Sequence, residues 1–109
     1  MSDAMEIGLF QLENLFSSPN TFLFIDLRAG RPLASVHLSI DRLLKKAQPI
    51  PVAQVKQFVG EQKIPHEKPI VLVCGEGKDS ESVARDLIRA GFDQIYVVAG
   101  GVKGLESEV

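Results

Sequence analysis

Tryptophan is absent from the 109 residues, and cysteine occurs once, as Cys74. A lone cysteine excludes an internal disulfide and any zinc site built from several thiolates, so neither a metal nor another cofactor is expected. Basic clusters are missing as well. The longest is the pair Lys45 and Lys46, and the formal net charge is -2, which argues against a nucleic-acid or membrane-surface partner. No apolar run is long enough to cross a bilayer. The first residues, MSDAMEIGLF, carry acids where a signal peptide would carry positive charge. No glycine, proline or serine tract offers a linker, and no internal repeat or low-complexity segment occurs. What remains is an ordinary globular composition, 45% hydrophobic and 24% charged. It fits one monomeric domain over residues 1–109, in a soluble, cytoplasmic setting.

The apolar spacing predicts a helix over residues 6–16, with Leu9, Leu12, Leu15 and Phe16 on one face and SSPN (17–20) closing it. TFLFIDLR is a short continuous apolar run that stops at Asp26 and reads as a strand buried on both sides. Residues 35–40 (SVHLSI) read as a second, shorter strand. Residues 41–47 and 51–60 read as helices separated by Pro49 and Pro51. A polar turn, HEKP, precedes the strand IVLVC, and residues 80–90 form a helix with Val83, Ala84, Leu87 and Ile88 inward and Gly91 at its end. QIYVV is another strand, followed by a last short helical turn. Strands alternating with helices predict an α/β domain with a mainly parallel central sheet flanked by helices. Such sheets bind ligands beyond the carboxyl ends of their strands, where Asp26 and Cys74 both fall.

The stretch CGEGKDS (74–80) places the cysteine between a strand end and a helix start. Glycines at 75 and 77 are expected to take positive φ and turn backbone N–H groups inward. With the helix dipole, these N–H groups form a cradle for negative charge that favours thiolate over thiol and holds a persulfide or an oxyanion equally well. The plainer reading is that Cys74 is a small core residue. The loop side chains are net acidic, since Glu76 and Asp79 outnumber Lys78. Asp79 itself reads as a helix N-cap that competes for the N–H groups. His37 reads as a structural residue near the sheet end and His66 as a solvated turn residue. Asp26 and Arg28 read as an ion pair under the site, and Arg31, Arg42 and Arg85 as candidates for its walls. A cysteine phosphatase is disfavoured, because Ser80 stands where it needs an arginine.

Taken together, four segments resemble the rhodanese-like family, over most of the chain. FIDLR resembles its Asp-x-Arg segment, His37 falls where its Gly-His-Ile-Pro histidine stands, and the loop from Cys74 to Ser80 is similar to C-x-x-G-x-R-S. VVAGGVKGL is similar to its closing Gly-Gly-x-x-x-Trp. The resemblance implies a rhodanese-like fold and a sulfurtransferase in which Cys74 carries sulfane sulfur as a persulfide. The active-site loop would be Gly75, Glu76, Gly77, Lys78, Asp79 and Ser80, supported by Asp26 and Arg28. Asp79 replaces the arginine that binds thiosulfate. At about 4 Å and an effective dielectric near 20, each like-charge contact costs on the order of 4 kcal/mol before screening, which makes thiosulfate a poor donor. Val36 and Ser39 replace the glycine and proline around His37, and Leu105 replaces the tryptophan.

Aspartate in that slot, with the ending GGVKGLESEV, is similar to the rhodanese domains at the C-terminus of ubiquitin-activating-like adenylyltransferases. Those enzymes serve molybdopterin synthesis and tRNA thiolation. The resemblance implies another protein's persulfide as donor and a ubiquitin-fold sulfur carrier as acceptor. A chain ending straight after this motif fits a domain cut from a longer protein. The alternative is a non-catalytic docking or regulatory module. Cys74 and the loop glycines favour catalysis; the missing arginine and tryptophan favour docking.

Overall fold

The protein is described by a computed structural model, which covers residues 4–18, 21–28 and 37–109. Five parallel strands form the sheet: β1 (Met5–Ile7), β2 (Leu23–Asp26), β3 (Gln48–Pro49), β4 (Ile70–Val73) and β5 (Ile95–Val98), in the order β1-β5-β4-β2-β3. Their crossovers are α1 (Leu9–Ser17), α2 (Leu38–Leu44), α3 (Val55–Glu61, preceded by a 3-10 turn at Val52–Gln54) and α4 (Lys78–Arg89). The last helix is α5 (Gly101–Ser107). The α/β parallel-sheet architecture expected from the alternation of patterns is therefore the one observed.

All four residues of the central strand β4 have 0% exposure, because helices cover both faces. One face packs Ile25, Ile70, Leu72 and Ile95 against Val55 and Val59 of α3 and Val83 and Leu87 of α4. The other packs Phe24, Val71, Val73 and Val98 against Leu12 of α1, Ile40 and Leu44 of α2, and Val102 and Leu105 of α5. At roughly 1.5–3 kcal/mol for each fully buried aliphatic side chain, these two layers dominate the fold's stability.

Several expectations need correction. Residues 38–40 begin α2 instead of forming a strand, and the helix ends at Leu44, earlier than the predicted 47. The alternation is only three apolar residues long, whereas Ile40 and Leu44, one turn apart, are the pair that is buried; Leu38 is 65% exposed. Residues 35, 36 and 19–20 lie outside the described residues. The N-terminal helix begins at Leu9, because residues 5–7 pair with Tyr96, Val97 and Val98 of β5. β3 is a two-residue edge strand in which Pro49 has no inward ladder bond to lose. The helix expected over 51–60 is split into the 3-10 turn and α3.

α3 ends in a Schellman turn, with Lys63 N–H donating to Gly60 O at 3.2 Å and Ile64 N–H to Val59 O at 3.1 Å. The residue after the cap is Lys63, at φ 51, where a side chain costs about 1 kcal/mol that glycine avoids. His66 is exposed, as expected of a turn, but its ring packs on Phe92 at 4.9 Å between centroids.

Candidate functional site

β4 delivers Cys74 to the carboxyl edge of the sheet, where the chain turns and α4 begins. The helix starts two residues earlier than the pattern suggested, at Lys78. Its N-cap is Gly77, with φ 103, not Asp79. Asp79 lies in the first turn, exposed, so its carboxylate faces the helix dipole without occupying the cap. Of the two loop glycines only Gly77 takes positive φ. Gly75 does not, and a Cβ there would meet nothing within 4 Å.

Gly77 turns its N–H onto the Cys74 Sγ at 3.0 Å. On the other side the sulfur lies 3.2 Å from the Ser80 hydroxyl. Ser80 is fully buried, and its hydroxyl is also 3.2 Å from the Gly77 carbonyl oxygen. The arrangement holds both protonation states of sulfur. A thiol donates to Ser80 while Ser80 donates to Gly77; a thiolate accepts from a hydroxyl rotated toward it and from the Gly77 amide. The Gly77 amide is the backbone donor on the sulfur, and the positive end of the α4 dipole lies at the same end of the sheet.

Cys74 is 3% exposed, yet it opens into a cleft of 660 Å³ whose walls are Arg28, the loop, and Val102 and Lys103 of α5. Arg28 donates to Asp26 through Nε at 3.1 Å and through its terminal nitrogen at 2.8 Å. The Arg28 backbone N–H also donates to Asp26, at 2.9 Å. With both side chains only 12–14% exposed, the pair fixes a guanidinium edge on the cleft wall. Lys103 reaches across the mouth to Glu76 at 3.2 Å, and both side chains are about 70% exposed. A surface pair of this kind contributes at most about 1 kcal/mol. Exposure also lowers the cost attributed above to Asp79: in water-like surroundings a like-charge contact at about 4 Å costs about 1 kcal/mol, not 4.

The first turn of α5 completes the site, through contacts between residues far apart in the sequence. Val102 N–H donates to the Cys74 carbonyl at 2.8 Å and Lys103 N–H to the Gly75 carbonyl at 3.2 Å. Gly101, at φ 64, passes so close to Cys74 and Gly75 that a Cβ there would overlap the Cys74 carbonyl oxygen. The doubled glycine at 100–101 was the available signal. His37 precedes α2 and does not line the cleft; neither do Arg42 and Arg85, the latter lying beside Glu6 and Glu81 on another surface. Arg31 is outside the described residues. Among the described residues, no helix is long and apolar enough to cross a membrane.

Residues 11–108 match the family model described as the rhodanese-like domain. Over 44 residues the chain is 36% identical to the thiosulfate sulfurtransferase GlpE of Actinobacillus pleuropneumoniae serotype 3, an alignment covering 40% of this chain and 41% of that protein. The chain thus spans less than half the length of the curated relatives it matches. Among solved structures, a rhodanese homolog from the extremely thermophilic bacterium Thermus thermophilus superposes with a TM-score of 0.64 at 23% identity, covering 92% of this chain and 99% of that one. The rhodanese-like domain of an Anabaena protein gives 0.70 at 14% identity, covering 99% and 76%. At these identities the structural likeness speaks to the fold alone.

Proposed function

The chain belongs to the rhodanese-like domain family, and on that premise we propose that it is a sulfurtransferase carrying sulfane sulfur as a persulfide on Cys74. The observation that carries this reading is the Cys74 sulfur itself. It sits at a strand end with the Gly77 amide at 3.0 Å and the Ser80 hydroxyl at 3.2 Å, facing an open cleft. In the loading step the Cys74 thiolate attacks the outer sulfur of a donor persulfide. The new S–S bond forms as the donor's S–S bond breaks, and the donor leaves as a thiolate. In the unloading step a nucleophilic acceptor attacks the outer sulfur, the Cys74 S–S bond breaks, and the thiolate is regenerated. The Gly77 amide and the Ser80 hydroxyl stabilise the sulfur anion at both ends of the cycle.

The donor in this reading is another protein's persulfide. Asp79 and Glu76 line the cleft; Arg28 and Lys103 already serve Asp26 and Glu76, and the third cation of the lining, Lys78, is offset by the charge of its neighbour Asp79. A small dianion such as thiosulfate finds little uncompensated positive charge there, although the curated relatives are named for it. A ubiquitin-fold sulfur carrier is the proposed acceptor, supported by Asp79 and by the GGVKGLESEV tail. The competing reading, a docking module without chemistry, draws on Asp79 and on Leu105 in place of tryptophan.

One experiment separates the two. After incubation with a persulfide donor, intact-mass measurement should show a single added sulfur, released by cyanide or reductant and missing from Cys74→Ala. A wild-type protein that acquires no cyanide-labile sulfur is a docking module.

A further inference from the structure

The edge of the sheet opposite Cys74 holds a second cleft, independent of the sulfur chemistry. It measures 410 Å³ and lies between the C-terminal turns of α3 and α4. Its floor is apolar, formed by Val59, Leu87 and Phe92, which are 7%, 0% and 6% exposed. Its rim carries two cations, Lys56 and Lys63, together with the His66 imidazole as a hydrogen-bonding group, and among the described residues no carboxylate lines it.

Two residues of this cleft break the rules of helix construction in opposite directions. Gly60 stands inside α3, where glycine weakens a helix, although a Cβ there would meet nothing within 4 Å. Lys63 follows the same helix at φ 51, where glycine is the unstrained residue. Exchanging the two would relieve both. Compensation of the α3 dipole accounts for a lysine near the helix end. It does not account for the bare backbone at Gly60, nor for a residue other than glycine at the positive φ of position 63. Local violations of this kind concentrate at functional surfaces. His66 is held as well: its ring lies on Phe92, and it stands 3.0 Å from where a Cβ on Gly91 would be.

We propose that this cleft binds a small amphipathic anion. Lys56, Lys63 and His66 take the acidic head group, while the apolar body lies on Val59, Leu87 and Phe92 in the space left open above Gly60. The test uses anilinonaphthalene sulfonate as a fluorescent probe, decanoate and decanol as competitors, and the amide NMR spectrum to locate binding. The expected result is one saturable site whose shifts centre on Gly60, Lys63, His66 and Ala90, with decanoate displacing the probe at least about tenfold better than decanol. Gly60→Leu, which fills the open space, should weaken the probe by about tenfold or more, and Lys63→Gly, which removes a cation, by about threefold to tenfold. Both substitutions follow helix preferences, so both variants should melt no lower than wild type, which separates lost binding from lost folding. Shifts centred on Arg28 and Lys103 would overturn the proposal. So would equal competition by decanol, or full binding by Gly60→Leu.

Discussion

Asp79 stands in the first turn of α4 with its carboxylate exposed at the rim of the Cys74 cleft. Two effects act on it with opposite sign. Near a helix N-terminus a carboxylate stabilises the helix by about 0.3–1 kcal/mol. To an approaching dianion it presents like charge, at about 1 kcal/mol per contact in a solvated setting. Asp79→Arg removes that repulsion and adds an attraction of similar size. Thiosulfate turnover, measured as kcat/KM with cyanide as acceptor, is therefore expected to rise by about tenfold to thirtyfold, while stability falls by about 0.6–2 kcal/mol because a cation replaces a favourable anion at the helix N-terminus. Because the gain is electrostatic at an exposed position, it should shrink as salt rises from low to physiological strength. A folded variant with unchanged thiosulfate kinetics would show that something other than charge at position 79 restricts the donor. Loading from a protein persulfide is the control, since it does not depend on drawing in a small anion.

At the scale of elements the site is a joint between three segments: the end of β4, the N-terminus of α4 and the first turn of α5. Gly101 is the tightest point of that joint. Gly101→Ala would place a methyl on the Cys74 carbonyl oxygen, force a side chain to φ 64, and displace the amides of Val102 and Lys103 that hold the loop. The expected cost is about 3 kcal/mol or more, read as a fall in Tm of more than about 10 °C. Gly75→Ala, in open space and at an ordinary φ, is the contrasting variant and should melt within a few degrees of wild type. The same joint explains what pattern reading reached and what it did not. β4 and α4 are legible because burial on both faces leaves an unbroken apolar run and burial on one face leaves a helical stripe. The contiguous loop from Cys74 to Ser80 comes with them. β1 and β3, three and two residues long, exist through pairing with β5 and β2, and nothing in so short a stretch records a distant partner. The start of α4 is misleading in the sequence because Asp79 is a good capping residue, whereas the turn is made by the left-handed backbone of Gly77. The bonds from α5 to Cys74 and Gly75 join residues about 28 apart, beyond any local periodicity.

Across the whole molecule, α5 works as a strap over the carboxyl edge of the sheet. One end bonds the Cys74 loop, and Leu105 is fully buried in the middle. At the far end Glu108 accepts the Leu9 N–H at 3.0 Å. That last contact supplies what the N-terminus of α1 lacks. Its N-cap residue is Gly8, which has no side chain to cap with, and Gln11 takes the Gly8 N–H but leaves the next donor open. A carboxylate at that position also faces the positive end of the helix dipole. β1 depends on the same corner, because it is an edge strand paired only with β5, tied in through the Ala99 N–H to the Ile7 carbonyl at 2.9 Å. Glu108→Ala is therefore expected to cost about 1 kcal/mol, the ordinary value of a lost cap. The cost should be local: amide hydrogen exchange is expected to quicken by about fivefold in the first turn of α1 and at Ala99. The amides of β4, held between two neighbours in the buried centre, open only with the whole domain and should slow or quicken no more than global stability does. Glu108→Gln keeps an acceptor oxygen without the charge and should recover about half of the loss. Uniform acceleration across β1, β4 and α1 would mean that the corner does not open by itself, and that Glu108 stabilises the domain as one cooperative unit.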